Sequence, residues 1–221
     1  MKIYPVIHHL DSATSLGQAA LAQACGADGV FLISHGEQDH LLPGLASVIK
    51  RQHPNLSVGV NLLSRAASQA VDLARAHQLD MVWLDNAGVS SRGVTEEGRY
   101  LESCLASSML PLQIFAGVAF KHQAPEPDPA AAAREAKAAG FIPTTSGVAT
   151  GQAPDIHKIQ TMSKAADGEL AVASGITPAN VAQYHPFVSH VLVATGIGLD
   201  FHHLDANALS ELIRVARELS T

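Results

Sequence analysis

Short apolar runs rich in Val, Ile and Leu alternate along the whole chain with stretches whose apolar positions recur at helical spacing. Lys2–Ile7 is the first run. Ser12–Cys25 follows as a helix with Leu16, Ala20, Leu21 and Ala24 on one stripe, and Gly26 ends it. Gly29–Ile33 reads as the second strand and Leu45–His53 as the second helix. Leu56–Asn61 is the third strand; Ser64–His77 is a helix with Ala67, Val71 and Ala74 on one face. Met81–Leu84 is the fourth strand, then come a Gly- and Ser-bearing loop and a helix over Glu96–Met109. Leu112–Val118 and the alanine-rich Ala130–Ala139, stopped by Gly140, form the fifth pair. Phe141–Thr145 is the sixth strand, with a helix over Asp155–Ala165. Leu170–Ala173 is the seventh, with a short helix starting at Pro178. Val188–Ala194 is the eighth, and Asp205–Leu219 closes the chain as a helix.

Eight βα units in 221 residues, about 28 residues each, fall near the lower end of the range for a (β/α)8 barrel. Strands separated by helices favour parallel pairing, and right-handed crossovers then wind the chain one way. No linker, low-complexity tract or charge block interrupts the alternation, so residues 1–221 read as one domain. A doubly wound open sheet uses the same alternation. Pro5 and Pro143 stand against closure, because each falls inside a strand whose N–H groups should be paired; a bulge or strand-end placement accommodates them. The expected fold is an α/β, eight-stranded parallel (β/α)8 TIM barrel.

In such a barrel the functional face lies at the carboxyl ends of the strands. His8, His9 and Asp11 follow the first strand, and Ser34, His35 and Glu37 the second. Asn61 follows the third, Asp85 and Asn86 the fourth, Lys121 and His122 the fifth. The last three strands run into Thr145-Ser146-Gly147, Ser174-Gly175-Ile176-Thr177 and Thr195-Gly196-Ile197-Gly198. Glycine lets backbone approach an anion closely, Ser or Thr adds a donor, and a helix start aims free N–H groups at it. Thr177 before Pro178 reads as an N-cap with a first-turn proline. Single Ser-Gly pairs are ordinary turn residues. Three in succession, on the strands where barrels of this class hold phosphate, mark Ser146, Gly147, Ser174, Gly175, Thr195 and Gly196 as phosphate-binding candidates.

For the chemistry, Lys121 and His122 can serve as electrophile, Schiff-base former or proton carrier, and Asp85 as general base or sugar ligand. Asn61 can bind substrate or orient one of these groups. Against each stands an ordinary role: loop lysines are mostly solvated, and strand-end aspartates often cap turns.

Hydrophobic residues make up 47% of the chain and charged residues 15%, enough apolar material for a sizeable core. Fourteen basic against twenty acidic side chains give a net charge of −6, which argues against a nucleic-acid or anionic-membrane surface. The apolar runs are too short to span a bilayer, and Pro5, His8, His9 and Asp11 come too early for a secretory h-region. Two cysteines, Cys25 and Cys104, make no disulfide framework, and a reducing cytoplasm is the simplest setting. His8, His9 and Asp11, with His35, Glu37, Asp39 and His40, offer metal-ligand chemistry, yet no recognised ligand spacing occurs, so no metal is expected. Neither nucleotide cradle, Gly-x-x-x-x-Gly-Lys or Gly-x-Gly-x-x-Gly, is present; nor is a Gly-x-Ser-x-Gly elbow. No cofactor is expected. The last helix carries an apolar stripe of Leu209, Leu212, Ile213, Ala216 and Leu219 that packs on a barrel or extends into a homodimer contact.

Four strings occur in order: Val58-Gly59-Val60-Asn61-Leu62-Leu63, then Ile114-Phe115-Ala116-Gly117-Val118-Ala119-Phe120-Lys121-His122, then Ser146-Gly147-Val148-Ala149-Thr150-Gly151-Gln152-Ala153-Pro154-Asp155, then Ala173-Ser174-Gly175-Ile176-Thr177-Pro178-Ala179-Asn180-Val181-Ala182-Gln183-Tyr184. This succession resembles the BtpA/SgcQ family of TIM-barrel proteins, from about Val58 to Thr195 and more loosely over nearly the whole chain. The resemblance implies kinship with phosphate-binding barrels of the ribulose-phosphate kind; one branch of the family is associated with photosystem I biogenesis. It supplies no defined reaction. Matching positions support Asn61, Lys121, His122, Ser146, Gly147, Ser174 and Gly175. The chain departs from the pattern at Gly117, where the family's Phe-Ala-Asp-Val string implies an acid, at Pro143, and after His8-His9, where a Pro-Leu-Pro-Gly stretch is missing.

The expectation is an enzyme acting on a small phosphorylated metabolite, a sugar phosphate or phosphoribosyl compound, by isomerase- or aldolase/lyase-type chemistry. The alternative is a non-catalytic barrel acting as an assembly factor or ligand sensor, which Gly117 favours. A histidine-metal hydrolase is the third reading.

Overall fold

The computed structural model describes residues 1–107 and 111–219. The barrel strands are β1 (Lys2–His8), β2 (Gly29–Ile33), β3 (Ser57–Asn61), β4 (Met81–Leu84), β7 (Gln113–Gly117), β8 (Ile142–Thr145), β9 (Ala171–Ala173) and β10 (His190–Val193). Two short strands, β5 (Val89–Ser90) and β6 (Gly93–Val94), form an antiparallel hairpin after β4. The eight long strands pair in parallel and close in the order β1-β10-β9-β8-β7-β4-β3-β2. The closed barrel is therefore the architecture, and the open doubly wound sheet is excluded.

Both prolines border the end or the start of a ladder. In β1 the pairing with β10 ends at Pro5 and the pairing with β2 starts at Val6. In β8 the pairing with β9 starts at Thr144, just after Pro143. Pro5 thus falls where one ladder gives way to the next, and Pro143, inside the β7 ladder, just precedes the start of the β9 ladder.

The helices are α1 (Ser12–Ala24), α2 (Leu42–Gln52), α3 (Ala67–Ala76), α4 (Glu96–Ala106), α5 (Pro129–Ala138), α6 (Ile156–Ala165), α7 (Val181–Tyr184) and α8 (Ala206–Glu218). Asp11, Thr95, Asp128, Asp155 and Asp205 cap five of them, each side chain accepting a first-turn N–H. The expected end of α4 at Met109 lies outside the described residues. The apolar stripe Leu209, Leu212, Ile213 and Ala216 on α8 is buried within the protomer, while Leu219 is exposed.

One expected helix start moves. The Pro178 turn is not the first turn of a helix. Asn180 Oδ1 accepts the Thr177 N–H at 2.8 Å, and Asn180 Nδ2 donates to the Gly175 carbonyl. These bonds close a turn, and only four helical residues follow as α7.

Inside the barrel, alternate residues point inward. Tyr4, Phe31 and Phe115 meet edge to face with centroids 5.2–5.9 Å apart, and the His190 ring stacks on Tyr4. Burial pushes the His190 pKa down to about 4, with the positive charge of Lys2 acting the same way, so this ring is a neutral packing element near pH 7. Strand faces turned outward pack Val, Ile and Leu against the alanine-rich inner faces of the helices.

Candidate functional site

The inward alternation continues past the core into the mouth at the carboxyl ends of the strands. Two residues beyond Val6, Ile33, Gly59 and Trp83 stand His8, His35, Asn61 and Asp85. A cavity of about 500 Å³ occupies this mouth. Val6, Ile33, Ala173 and Leu192 line its lower part, Trp83, Phe120, Phe201 and Leu63 its sides, and His8, His35, Asp85, Lys121, His122, Thr150, Ser174 and Thr195 its polar positions.

Four of the expected chemistry residues gather on one side. Asp85 ends β4, and Asn61, nearly fully buried at the end of β3, donates Nδ2 to Asp85 Oδ1 at 3.0 Å. Asn61 itself does not line the cavity; it stands behind Asp85. Lys121 lies in the turn after β7. Its N–H donates to Ser146 Oγ at 2.8 Å, and its Nζ reaches Thr150 Oγ1 at 3.1 Å and sits 5.8 Å from the centre of the Phe120 ring. Burial lowers the Lys121 ammonium pKa, and the nearby Asp85 carboxylate opposes that shift. His122 is exposed, with a left-handed φ of 68°, and borders both the mouth and a second groove.

That turn is held by residues the sequence did not single out. Gln123 Nε2 donates to the carbonyls of Asp85 (2.6 Å) and Gly117 (2.9 Å), and its Oε1 accepts from Phe120 N–H. Lys158, on α6, donates Nζ to the carbonyls of Ala119 and Ser146 at 2.7 and 3.0 Å, tying two loops together. Burial lowers its pKa, with Asp155 opposing. Gly117 is a close approach: a Cβ there would run into the Asp85 backbone carbonyl. The acid implied by the family resemblance has no room in this arrangement.

The glycine-bearing loops are interlocked. Gly147 is buried against the backbone of Gln152, Gly175 (φ 69°) against that of Gln152 and Ala153, and Gly196 against the Ile176 carbonyl. Ser146 Oγ donates to the Gly147 carbonyl, and Ser174 Oγ to those of Ala149 and Gln152. Of the six phosphate candidates, Ser174 and Thr195 line the cavity; Ser146, Gly147, Gly175 and Gly196 stand behind that wall. Thr150 and Gly151, unforeseen from the sequence, come forward instead. Among the described residues, the N–H groups of Gly151 and Gly175 have no acceptor.

Across the mouth, the His8 ring packs 4.1 Å from Phe201 and 5.2 Å from His35, centre to centre. Burial and then His35 push the His8 pKa down to about 4, while the Phe201 carbonyl favours the charged form. Burial also lowers the His35 pKa; Lys121 adds to that, and Asp85 and Asp39 oppose it. Three of the other side chains with metal-ligand chemistry are occupied elsewhere: His9 Nδ1 meets Ser15 Oγ at 2.8 Å, Asp11 caps α1, and Asp39 Oδ2 accepts the Ser64 N–H. Among the described residues, no three His, Cys, Asp or Glu side chains converge as a metal site.

Two further observations mark the mouth. His8 Nδ1 and Trp83 Nε1 are buried with no hydrogen-bond partner, a state that costs about 1–3 kcal/mol per group. Four non-glycine residues with left-handed φ, Glu37, Ala119, His122 and Ser174, all stand in loops on this face. Between the β5–β6 hairpin and the loop 121–127 runs a second, polar groove of about 780 Å³, which shares Asp85, Lys121 and His122 with the mouth.

Solved structures share the fold. Phosphoribosyl anthranilate isomerase from Thermus thermophilus matches with a TM-score of 0.68 at 16% identity, over 99% of this chain and 100% of that one. The native KDPGal structure matches at 0.68 and 13%, over 100% and 96%. The 3-keto-L-gulonate-6-phosphate decarboxylase from Vibrio cholerae matches at 0.65 and 9%, over 98% and 97%. No curated protein matches the sequence. The model of the BtpA family matches residues 13–218, nearly the whole barrel, and the chain belongs to the BtpA family.

Proposed function

We propose that this protein is an enzyme that acts on a small phosphorylated sugar-like metabolite by proton-transfer isomerisation or aldol-type cleavage. The observation that carries the reading is the meeting of Asp85, steadied by Asn61, with Lys121 at the rim of one cavity. A fixed carboxylate is placed to take a proton from a carbon next to a carbonyl, and a partly desolvated amine to polarise that carbonyl or condense with it. Thr195, Thr150 and the free N–H of Gly151 are the groups offered to a phosphate, which would supply binding energy away from the reacting atoms. Barrels of the same fold named for phosphorylated substrates, the isomerase and the decarboxylase above, lend support by analogy. A cytoplasmic setting belongs to this reading. It rests on the two free cysteines, and no helix among the described residues is long and apolar enough to cross a membrane.

The test is deuterium exchange from D2O into a panel of ketose and aldose phosphates, followed by NMR. Exchange or conversion that is lost in Asp85→Asn and Lys121→Met supports the enzyme. Borohydride trapping of substrate on Lys121 separates Schiff-base cleavage from simple isomerisation.

Gly117 favours a second reading, a ligand-binding barrel without turnover, since the acid implied by the family is absent and sterically barred. Phosphate-dependent thermal stabilisation without exchange, unchanged in both variants, would support it.

A further inference from the structure

The mouth cavity is poorly suited to a bare sugar phosphate. Besides its polar positions, its walls are Trp83, Phe120, Phe201 and Leu63, over an aliphatic floor. Sugar hydroxyls placed there would lose water and find few partners. About 500 Å³ is also ample room for a ring in addition to a phosphate. Trp83 and Phe120 meet edge to face at 6.0 Å, and Phe201 lies half exposed over His8, a large apolar side chain facing solvent at the entrance. Trp83 lines the cavity although it is only 6% exposed.

From these features we infer that the site takes a phosphorylated substrate carrying a planar aryl or heteroaryl group, whose ring enters between Trp83, Phe120 and Phe201 while the anion stays at the Lys121–Thr195 rim. The inference rests on the proposed phosphate reading and adds the chemical class of the rest of the molecule. Aromatic walls reward a flat, polarisable ring and give a hydroxylated chain nothing comparable.

Trp83 is the one tryptophan in the sequence, so its emission reports occupancy of the cavity directly. The full chain is titrated with phenyl phosphate, ribose 5-phosphate, inorganic phosphate and benzyl alcohol. Phenyl phosphate should shift Trp83 emission and bind at least ten-fold more tightly than ribose 5-phosphate. Phe201→Ala, a change at a half-exposed position, should erase that advantage and leave ribose 5-phosphate unaffected. Leu63→Ala serves as the second variant and should reduce the advantage in part. Ribose 5-phosphate binding as tightly as phenyl phosphate, or equal weakening of every probe by Phe201→Ala, overturns the aryl pocket while leaving the phosphate reading intact. Saturable benzyl alcohol binding with no response to any phosphate supports the aryl pocket and overturns the phosphate reading.

Discussion

Asn61 holds Asp85 across the ends of neighbouring strands, amide nitrogen to carboxylate oxygen at 3.0 Å, and does so from a nearly fully buried position. A carboxylate gripped on one oxygen presents the other in a fixed direction. Asn61→Ala should therefore lower kcat by about 10–100-fold with a smaller change in KM, as expected when a base loses its orientation. Asn61→Asp, which keeps the size but places a second carboxylate against the first, should do no better. Steady-state kinetics on a substrate identified by the exchange panel checks both.

Gly117→Asp restores the acid implied by the family resemblance but sets its Cβ against the Asp85 carbonyl and disturbs the bridge made by Gln123. The variant should lose stability, with Tm falling on the order of 5 °C. It should gain no activity. Thermal unfolding by circular dichroism gives the answer.

Lys158→Met removes two charge-assisted hydrogen bonds, to Ala119 and Ser146, while retaining most of the side-chain bulk. The expected cost is about 2 kcal/mol in urea unfolding. Amide hydrogen exchange should rise at 119–122 and 146–151 and stay unchanged around α1, which distinguishes loosening of these two loops from general destabilisation.

His190 gives the barrel a defined response to acid. Its folded pKa of about 4 lies below its ordinary value of 6.5, so the unfolded chain takes up the proton first as pH falls. Its contribution is intact above pH 6.5 and is lost progressively between 6.5 and 4, to a total of about 3 kcal/mol. His190→Gln should show a flatter dependence of the urea midpoint across that window than the wild type. Parallel slopes would show that other groups govern the acid limb.

The barrel was legible because most strands are short, largely apolar runs and most helices end on glycine or start on a capping Asp or Thr. Asp85, Lys121 and His122 were legible as polar residues at strand ends, and they do line one cavity. His8 and His35 were likewise legible at the ends of the first two strands, and the two-residue alternation from Val6 and Ile33 is what turns both into the mouth. Trp83 and Phe201 carried no such signal: one reads as core strand, the other as loop, and only closure brings them together. The β5–β6 strands are too short for any alternation to register. Ser-Gly spacing could not say whether glycine makes room for an anion or for another loop; at Gly147 and Gly196 the close neighbour is protein backbone.

That last arrangement has an evolutionary corollary. The segments after β8, β9 and β10 fit like stacked shims, Gly147 on 152, Gly175 on 153, Gly196 on 176, so a length change in one demands matching changes in the others. Diversification among relatives should then be concentrated on the opposite arc, in the hairpin after β4, where insertions meet no such constraint.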